Sequence, residues 1–233
     1  MGQRQRVVEP EILDSLPADH PDAVASRGDL QVINALMGNF RWLRRQLACQ
    51  LRPGDRLLEL GAGDGTLARF LGVERAAFPG IYRGLDLAPR PADWPEGLEW
   101  VQADVFGESG VREVAAADVV MANLFLHHFS DEALAGLGRA VGRARVLIFS
   151  EPARGDLPIW QGRLLAALVP LNHVTRHDLA VSVRAGFCGD ELAAALQLDR
   201  GRWRWQAHRT VMGAHRFVAF AIGPLASADQ WDR

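Results

Sequence analysis

The stretch LLELGAGDGTLA at residues 57–68 decides the fold. An apolar run ends at Glu59, and three alternate glycines follow at Gly61, Gly63 and Gly65 before apolar residues return at helical spacing. This order predicts a β-strand, a glycine turn and a helix. Glycine is needed where the backbone takes unusual dihedral angles or must approach a ligand closely. We therefore expect a ligand to bind at this turn.

The spacing of the glycines argues against two common phosphate-binding motifs. A dinucleotide fingerprint, G-x-G-x-x-G, needs its third glycine at position 66, where the chain has Thr66. A phosphate-cradling P-loop needs a Lys-Ser or Lys-Thr pair after the glycines, and none follows here. The turn is therefore suited to a nucleoside that carries no phosphates.

The glycine stretch resembles motif I of the class I S-adenosylmethionine-dependent methyltransferases. Three further polar residues follow strands at that family's spacing: Asp86 in IYRGLDL, Asp104 in LEWVQADVF and Asn123 in ADVVMANLFLHHF. The resemblance covers residues 50–150 and implies S-adenosyl-L-methionine as the cofactor. It also implies an α/β fold, with a doubly wound, Rossmann-like seven-stranded sheet whose last strand is antiparallel.

The same resemblance implies roles for individual residues. Asp86 takes the ribose hydroxyls, Asp104 meets the adenine amino group, and Asn123 lies beside the methionyl part of the cofactor. The motif I backbone also faces the methionyl part, and Glu59 acts near its amino group or the loop amides. The cofactor-binding residues predicted in this way are Glu59, Gly61, Ala62, Gly63, Asp86, Leu87, Asp104, Val105, Asn123 and Leu124.

Two neighbouring histidines follow the fourth predicted strand. The segment FLHHFSDE resembles the one that carries the general base in plant small-molecule O-methyltransferases, and aligning its Ser-Asp-Glu at Ser130 places His127 at that base. Histidine suits the role because its pKa lies near neutrality. The predicted catalytic residues are therefore His127 as the base, with His128 or His177 placing the acceptor. Packing and loop hydrogen bonds are the alternative role for the pair.

A second histidine pair, His173 and His177, has the i, i+4 spacing of helical metal ligands. Pro170 and Asn172 indicate a loop in this segment, and no third ligand stands at a suitable spacing. We therefore expect no metal at these histidines or elsewhere in the chain.

The chain is expected to form an N-terminal arm and helix at residues 1–50, closing over the cofactor site, and a methyltransferase domain at residues 51–233. Asn34, Met37 and Asn39 in the N-terminal helix are expected to line the site. Residues 152–187 are longer than a helical crossover requires, which predicts a lid over the substrate. The strands are predicted at 56–60, 81–87, 98–103, 117–123 and 144–150, followed by a hairpin of 203–211 and 215–223.

The composition is ordinary for a soluble globular protein, and neither a nucleic-acid partner nor a membrane span is expected. The 233 residues carry a net charge of −2, so no basic field attracts nucleic acid, and no apolar run reaches the ~18 residues of a membrane span. Cys49 and Cys188 have no metal spacing and are expected as buried thiols in a reducing cytosol. The N-terminus has no signal-peptide core, so a cytoplasmic location is expected.

The sequence predicts methyl transfer to a small organic metabolite. NLFL follows the fourth strand where amino-methylating enzymes of nucleic acid and protein glutamine carry an N-P-P-Y/W tetrapeptide. O-methylation, or C-methylation, of a phenolic or polyketide-like acceptor is therefore the leading expectation. A nicotinamide-dependent oxidoreductase and a non-catalytic S-adenosylmethionine-binding protein are the alternatives. The identity of the acceptor and the oligomeric state are not set by the sequence.

Overall fold

The structure, a computed structural model, describes residues 5–72 and 78–222. Seven strands form one sheet in the order β3-β2-β1-β4-β5-β7-β6. Their bounds are Arg56–Leu60 for β1, Ile81–Asp86 for β2, Glu99–Gln102 for β3, Val119–Asn123 for β4, Val146–Pro152 for β5, Trp203–Arg209 for β6 and Ala214–Ala221 for β7.

Strands β1 to β5 are parallel, and β7 runs antiparallel between β5 and β6. The predicted seven-stranded sheet with an antiparallel last strand is therefore confirmed. The chain winds outward from β1 to β3 and then returns to place β4 on the other side of β1. The carboxyl ends of β1 and β4 consequently form the crevice at which open α/β sheets bind ligands.

The central strands are almost continuously apolar, because helices cover both faces of the sheet. Successive residues point to opposite faces, so Leu57 and Met121 pack in one layer while Leu58 and Val120 pack in the other. All seven residues of β5 are buried. The functional end of the sheet is therefore anchored by strands that have no solvent-facing side.

The described residues contain nine α-helices. Their bounds are Ile12–Ser15 for α1, Pro21–Met37 for α2, Asn39–Gln50 for α3, Thr66–Leu71 for α4, Glu108–Ala116 for α5, Asp131–Ala140 for α6, Asp156–Leu168 for α7, His173–Ala185 for α8 and Glu191–Ala195 for α9. None of the helices in the described part of the chain is long and apolar enough to cross a bilayer.

Local capping accounts for several helix boundaries. Ser130 accepts a hydrogen bond from the Ala133 amide, as expected for the start of α6. Asn172 caps α8 in the same way, so the prediction of a loop at the second histidine pair was wrong: Asn172 ends the loop and begins a helix. The single N-terminal helix expected within residues 1–50 is divided at Gly38, whose φ of 66° lies in the left-handed region.

The described part of the N-terminal arm is tied to the body of the protein. The Arg6 guanidinium donates to the carbonyls of Phe129 at 2.6 Å and Ala185 at 2.8 Å. The Asp178 carboxylate accepts from the amides of Ile12 and Leu13 at the start of α1. The arm is therefore fixed to the body of the protein from residue 5 onward, and residues 1–4 lie outside the described residues.

The two cysteines are free thiols, but they are less buried than expected. Leu43 and Leu47 of α3 face the core, so Cys49, two positions further along the helix, faces solvent. Cys188 is half-buried.

The glycines of α6 give a direct test of helix packing. A Cβ at Gly138 would lie 1.7 Å from the Leu196 carbonyl oxygen, which is backbone, whereas a Cβ at Gly136 would meet only an Arg139 side-chain nitrogen at 3.7 Å. We expect Gly138→Ala to lower the free energy of unfolding by about 1–3 kcal/mol through overpacking. The matched Gly136→Ala should be neutral or stabilising by up to ~1 kcal/mol. Urea unfolding of both variants checks this, and equal stability would contradict the packing of α6 against α9.

Candidate functional site

A cavity of about 390 Å³ opens at the carboxyl ends of β1 and β4. Its floor is the motif I turn and the end of β4, and its walls come from α2, α7 and α8. The volume lies within the range typical of small-molecule sites, roughly 300–1,000 Å³. The cavity therefore stands where the topology alone would place a ligand.

The motif I turn needs its glycines for two reasons. Gly61, Gly63 and Gly65 all have positive φ, between 55° and 75°. A Cβ at Gly61 would also lie 2.2 Å from the Phe125 ring. The Gly61 amide donates to the Leu85 carbonyl at 2.9 Å, which ties the turn to the end of β2. The backbone thus adopts the strand, tight turn and helix that the sequence predicts.

Glu59 is buried beneath this turn, and the Tyr82 hydroxyl donates to its carboxylate. Burial raises the pKa of Glu59 to about 8; the Tyr82 hydrogen bond opposes this, and the charges of Asp86 and Asp64 add to it. A cation in the cavity would favour the ionised form of Glu59. The carboxylate is therefore suited to meet a positively charged ligand.

Asp86 and Asp104 each organise the loop that follows their strand. Asp86 accepts from the Gly63 amide at 2.8 Å and from the Ala88 amide at 2.9 Å. Asp104 accepts from the Phe106 amide at 2.9 Å. Both carboxylates lie at the carboxyl edge of the sheet, on the side of β2 and β3.

The ten predicted cofactor positions fall into two groups. The residues that line the cavity are Glu59, Gly61, Ala62, Gly63, Asn123 and Leu124. The remaining four lie further along the same sheet edge, outside the cavity wall: Asp86, Leu87, Asp104 and Val105. In this second group Leu87 is exposed, whereas Val105 is buried in the core.

Asn123, at the end of β4, joins the sheet to the N-terminal helices. Its amide nitrogen donates to the Asn34 side-chain oxygen at 3.0 Å, and Asn39 donates to the same oxygen at 2.9 Å. The Oδ1 atom of Asn123 is buried and has no hydrogen-bond partner within the described residues. Leaving a buried acceptor unpaired costs about 1–3 kcal/mol, so a donor on a bound ligand would be favoured here.

The turn that follows β4 is held by a fully buried carboxylate, Glu151, at the end of β5. Glu151 accepts from the amides of Phe125 at 3.2 Å and Leu126 at 3.0 Å, and it lies 2.8 Å from Nδ1 of His127. These bonds fix the short 3₁₀ turn Leu126–His128 at the edge of the cavity.

His127 is held between two carboxylates. Glu11 of the N-terminal arm places Oε1 3.3 Å from His127 Nε2, on the side opposite Glu151. Burial alone would lower the pKa of His127, but hydrogen bonds and charge from Glu11 and Glu151 outweigh it and raise the pKa to about 9. An imidazolium at neutral pH has no lone pair to accept a proton. These surroundings favour a charged, positioned histidine over the predicted general base.

The other two predicted catalytic histidines differ in location. His128 lines the cavity, its ring centroid 4.2 Å from that of His127 and its Nδ1 3.2 Å from Asp14. His177 lies on α8 with half of its side chain exposed and Nδ1 against Asp178. The structure therefore brings His127 and His128 to the cavity but leaves His177 outside its wall.

Two residues of the site, Glu151 and Glu11, were missed in the sequence. Glu151 had a signal: it is a charged residue directly at the end of a predicted buried strand, like Asp86 at the end of β2. Glu11 had none, because it lies outside the predicted elements and 116 residues from its partner His127.

Comparisons with known proteins show a likeness of fold. No family model and no curated protein matches the chain. Among solved structures, the plantazolicin methyltransferase BpumL in complex with a triazolic desmethylPZN analog and SAH is 8% identical, with a TM-score of 0.66 over 90% of this chain and 93% of that one. BpumL in complex with SAH is 9% identical, with a TM-score of 0.65 over 90% and 92% of the two chains.

The chain has the class I methyltransferase fold. A protein from Rhodobacter sphaeroides, provisionally named as a Zn-dependent alcohol dehydrogenase, is also similar at 16% identity, with a TM-score of 0.52 over 82% of this chain and 97% of that one. At such identities the likeness concerns the fold, and the activity must be argued from the site.

The buried carboxylate of this methyltransferase fold gives a pH-dependent prediction. The pKa of Glu59 rises from 4.5 to about 8 on folding, so between those pH values the folded protein holds a proton that the unfolded chain has lost. The free energy of unfolding should therefore fall across this window as pH rises. Glu59→Gln should remove that part of the slope, an effect on the order of a few kcal/mol. Urea unfolding from pH 5 to 9 measures it.

The control is Glu96→Gln, a change at an exposed carboxylate on the β2–β3 connection. It should leave the slope as in the parent protein. A Glu59→Gln variant with an unaltered slope would show that Glu59 is ionised in the folded protein throughout this range.

Proposed function

We propose that the protein transfers a methyl group from S-adenosyl-L-methionine to a small organic molecule. The observation that carries the proposal is the shared cavity. Its wall includes the motif I turn and Asn123, whose Oδ1 has no partner among the described residues, and it also includes a cluster of Glu11, His127 and His128. We assign the first set to one end of the cavity, for the cofactor, and the cluster to the other end, for the acceptor. The likeness of the fold to BpumL, which was crystallised with SAH, supports the same reading.

The residues at the first end fit the cofactor. The orphaned Oδ1 of Asn123 suits the cofactor's amino group as a hydrogen-bond donor, and the Glu59 carboxylate suits its positive charges. Asp86 and Asp104 extend this end along the sheet edge, where we assign the ribose to Asp86 and the adenine to Asp104. When bound, the cofactor supplies an electrophilic methyl group on a sulfonium, so the protein needs only to align the acceptor.

The other end fits an acceptor with an apolar body and a polar nucleophilic atom. Leu165, Leu179 and Val183 give this part of the cavity an apolar wall on α7 and α8. The Glu11, His127 and His128 cluster supplies the convergent polar groups that fix orientation in such sites. We therefore propose O-methylation of a phenolic or polyketide-like ring as the specific reaction. In the same proposal, residues 1–50 and 152–187 cover the bound molecules.

The assignment of the ribose to Asp86 predicts a loss of affinity in Asp86→Asn. The amide has the size of the carboxylate, but it loses the charge that a ribose hydroxyl would meet and one of the two oxygens that accept from the Gly63 and Ala88 amides. A lost hydrogen bond to a charged group is worth about 1.5–3 kcal/mol, so SAH should bind about 10- to 150-fold more weakly in calorimetry. Asp93→Asn, an exposed carboxylate in the same connection, is the control and should bind SAH normally. Equal affinities in the two variants would remove Asp86 from the site.

The transfer itself is tested with S-adenosylmethionine labelled on its methyl group and a panel of phenols and aromatic polyketide-type compounds. We expect label to appear in at least one acceptor, with SAH formed in equal amount. If SAH binds but no compound of any acceptor class is methylated, the protein is a cofactor-binding protein without transferase activity.

A further inference from the structure

We propose that Glu11, His127 and His128 form a binding site for one divalent transition-metal ion at the acceptor end of the cavity. The ion would bind between the N-terminal arm and the turn that follows β4. This site is separate from the cofactor residues of motif I and β2. Its existence does not depend on the proposed methyl transfer.

The three side chains already converge. Each offers one ligand atom, and these atoms all lie within 4.8 Å of one another. Glu11 Oε1 is 3.3 Å from His127 Nε2, and the two imidazole rings have their centroids 4.2 Å apart. An ion with ligand bonds of about 2.0–2.2 Å to nitrogen and oxygen would draw such atoms together by only small side-chain movements.

Each imidazole is oriented by a carboxylate behind it. Glu151 lies 2.8 Å from Nδ1 of His127, which leaves Nε2 directed toward Glu11 and the cavity. An ion bound at Nε2 would displace the proton from that nitrogen, while the Glu151 carboxylate keeps the proton on Nδ1. Asp14 takes the equivalent position 3.2 Å from Nδ1 of His128. Metal-bound histidines almost always give their second nitrogen to such a carboxylate, carbonyl or water. The arrangement occurs here at two adjacent residues.

Two of the three ligands are buried and held by further hydrogen bonds. His127 and Glu11 are 2% and 9% exposed, and Ser182 donates a hydrogen bond to the Glu11 carboxylate. Glu151 also holds the backbone of the turn that carries both histidines. A preformed site of this kind loses little conformational freedom when an ion enters.

Two nitrogen ligands and one oxygen ligand suit zinc, cobalt or manganese rather than calcium or magnesium, which prefer oxygen. Three protein ligands also leave at least one coordination position for another molecule. All three residues line the cavity, so that position can face the acceptor.

The role of the ion rests on the proposed function. An acceptor hydroxyl coordinated to a divalent ion loses its proton to solvent more readily, since the ion stabilises the resulting oxyanion. That oxygen then forms its bond to the methyl carbon as the bond from carbon to sulfur breaks, and SAH leaves with the electron pair. The chain would thereby activate an acceptor without a histidine that accepts the proton.

The test uses the full-length chain after treatment with a chelator, titrated with Zn²⁺ in calorimetry and with Co²⁺ in visible absorption. We expect one ion per chain. His128→Gln removes a ligand at the partly exposed edge of the site and should weaken binding by more than about 100-fold. Asp14→Asn disturbs only the orienting carboxylate and should weaken binding about 10- to 100-fold. His173→Gln, at a histidine whose side chain is 72% exposed, is the matched control and should bind normally.

Circular dichroism establishes that each variant is folded, and Glu11→Gln serves as a second ligand variant should His128→Gln unfold. Absence of stoichiometric binding by the parent chain would overturn the metal site. Equal affinities in the ligand variants and His173→Gln would do the same. SAH affinity is measured on the same samples, so that loss of metal binding with intact SAH binding refutes only the metal site. Metal binding without SAH binding refutes the proposed function and leaves the site standing.

Discussion

The buried carboxylate of Glu151 organises the functional end of the molecule. It meets the Phe125 and Leu126 amides and Nδ1 of His127 in the turn after β4, and these groups would lose their partner without it. Because it lies at the end of β5, it fixes that turn to the rigid centre of the sheet. Through His127 it also meets Glu11, and so connects the sheet to the N-terminal arm. One carboxylate thereby sets the position of the histidines and links them to the N-terminal arm.

The two ends of the cavity use polar groups in different ways. At the motif I end, Glu59 is a carboxylate kept partly neutral by burial, and the Asn123 Oδ1 has no hydrogen-bond partner in the described part of the chain. Both gain from a ligand that brings positive charge and hydrogen-bond donors. At the other end, His127 and Glu11 satisfy each other in a close pair. The first end thus has a polar group that lacks a partner among the described residues until a ligand binds, whereas the polar groups at the second end already have partners. This difference suits a site that binds a cationic cofactor and then aligns a second molecule against it.

Much of the fold was predictable because its signals are local. Apolar runs predict the strands, and the glycine turn predicts the junction between β1 and α4. The alternation of strands and helices predicts the parallel sheet. Asn123 and Glu59 were predictable because strand ends meet at one edge. Glu11 was not, since its contact with His127 depends on how a distant arm packs. The outward position of His177 depends on the rotation of α8, which a weak apolar pattern does not define. The charge on His127 follows from two carboxylates that no local motif brings together.

The most direct test of this account is a calorimetric titration of the full-length chain with SAH and, separately, with NADH. The account predicts saturable binding of SAH with one molecule per chain and no binding of NADH, because the motif I turn has Thr66 where a pyrophosphate-binding turn needs its third glycine. Binding of NADH without SAH would contradict the assignment of the cavity and favour an oxidoreductase.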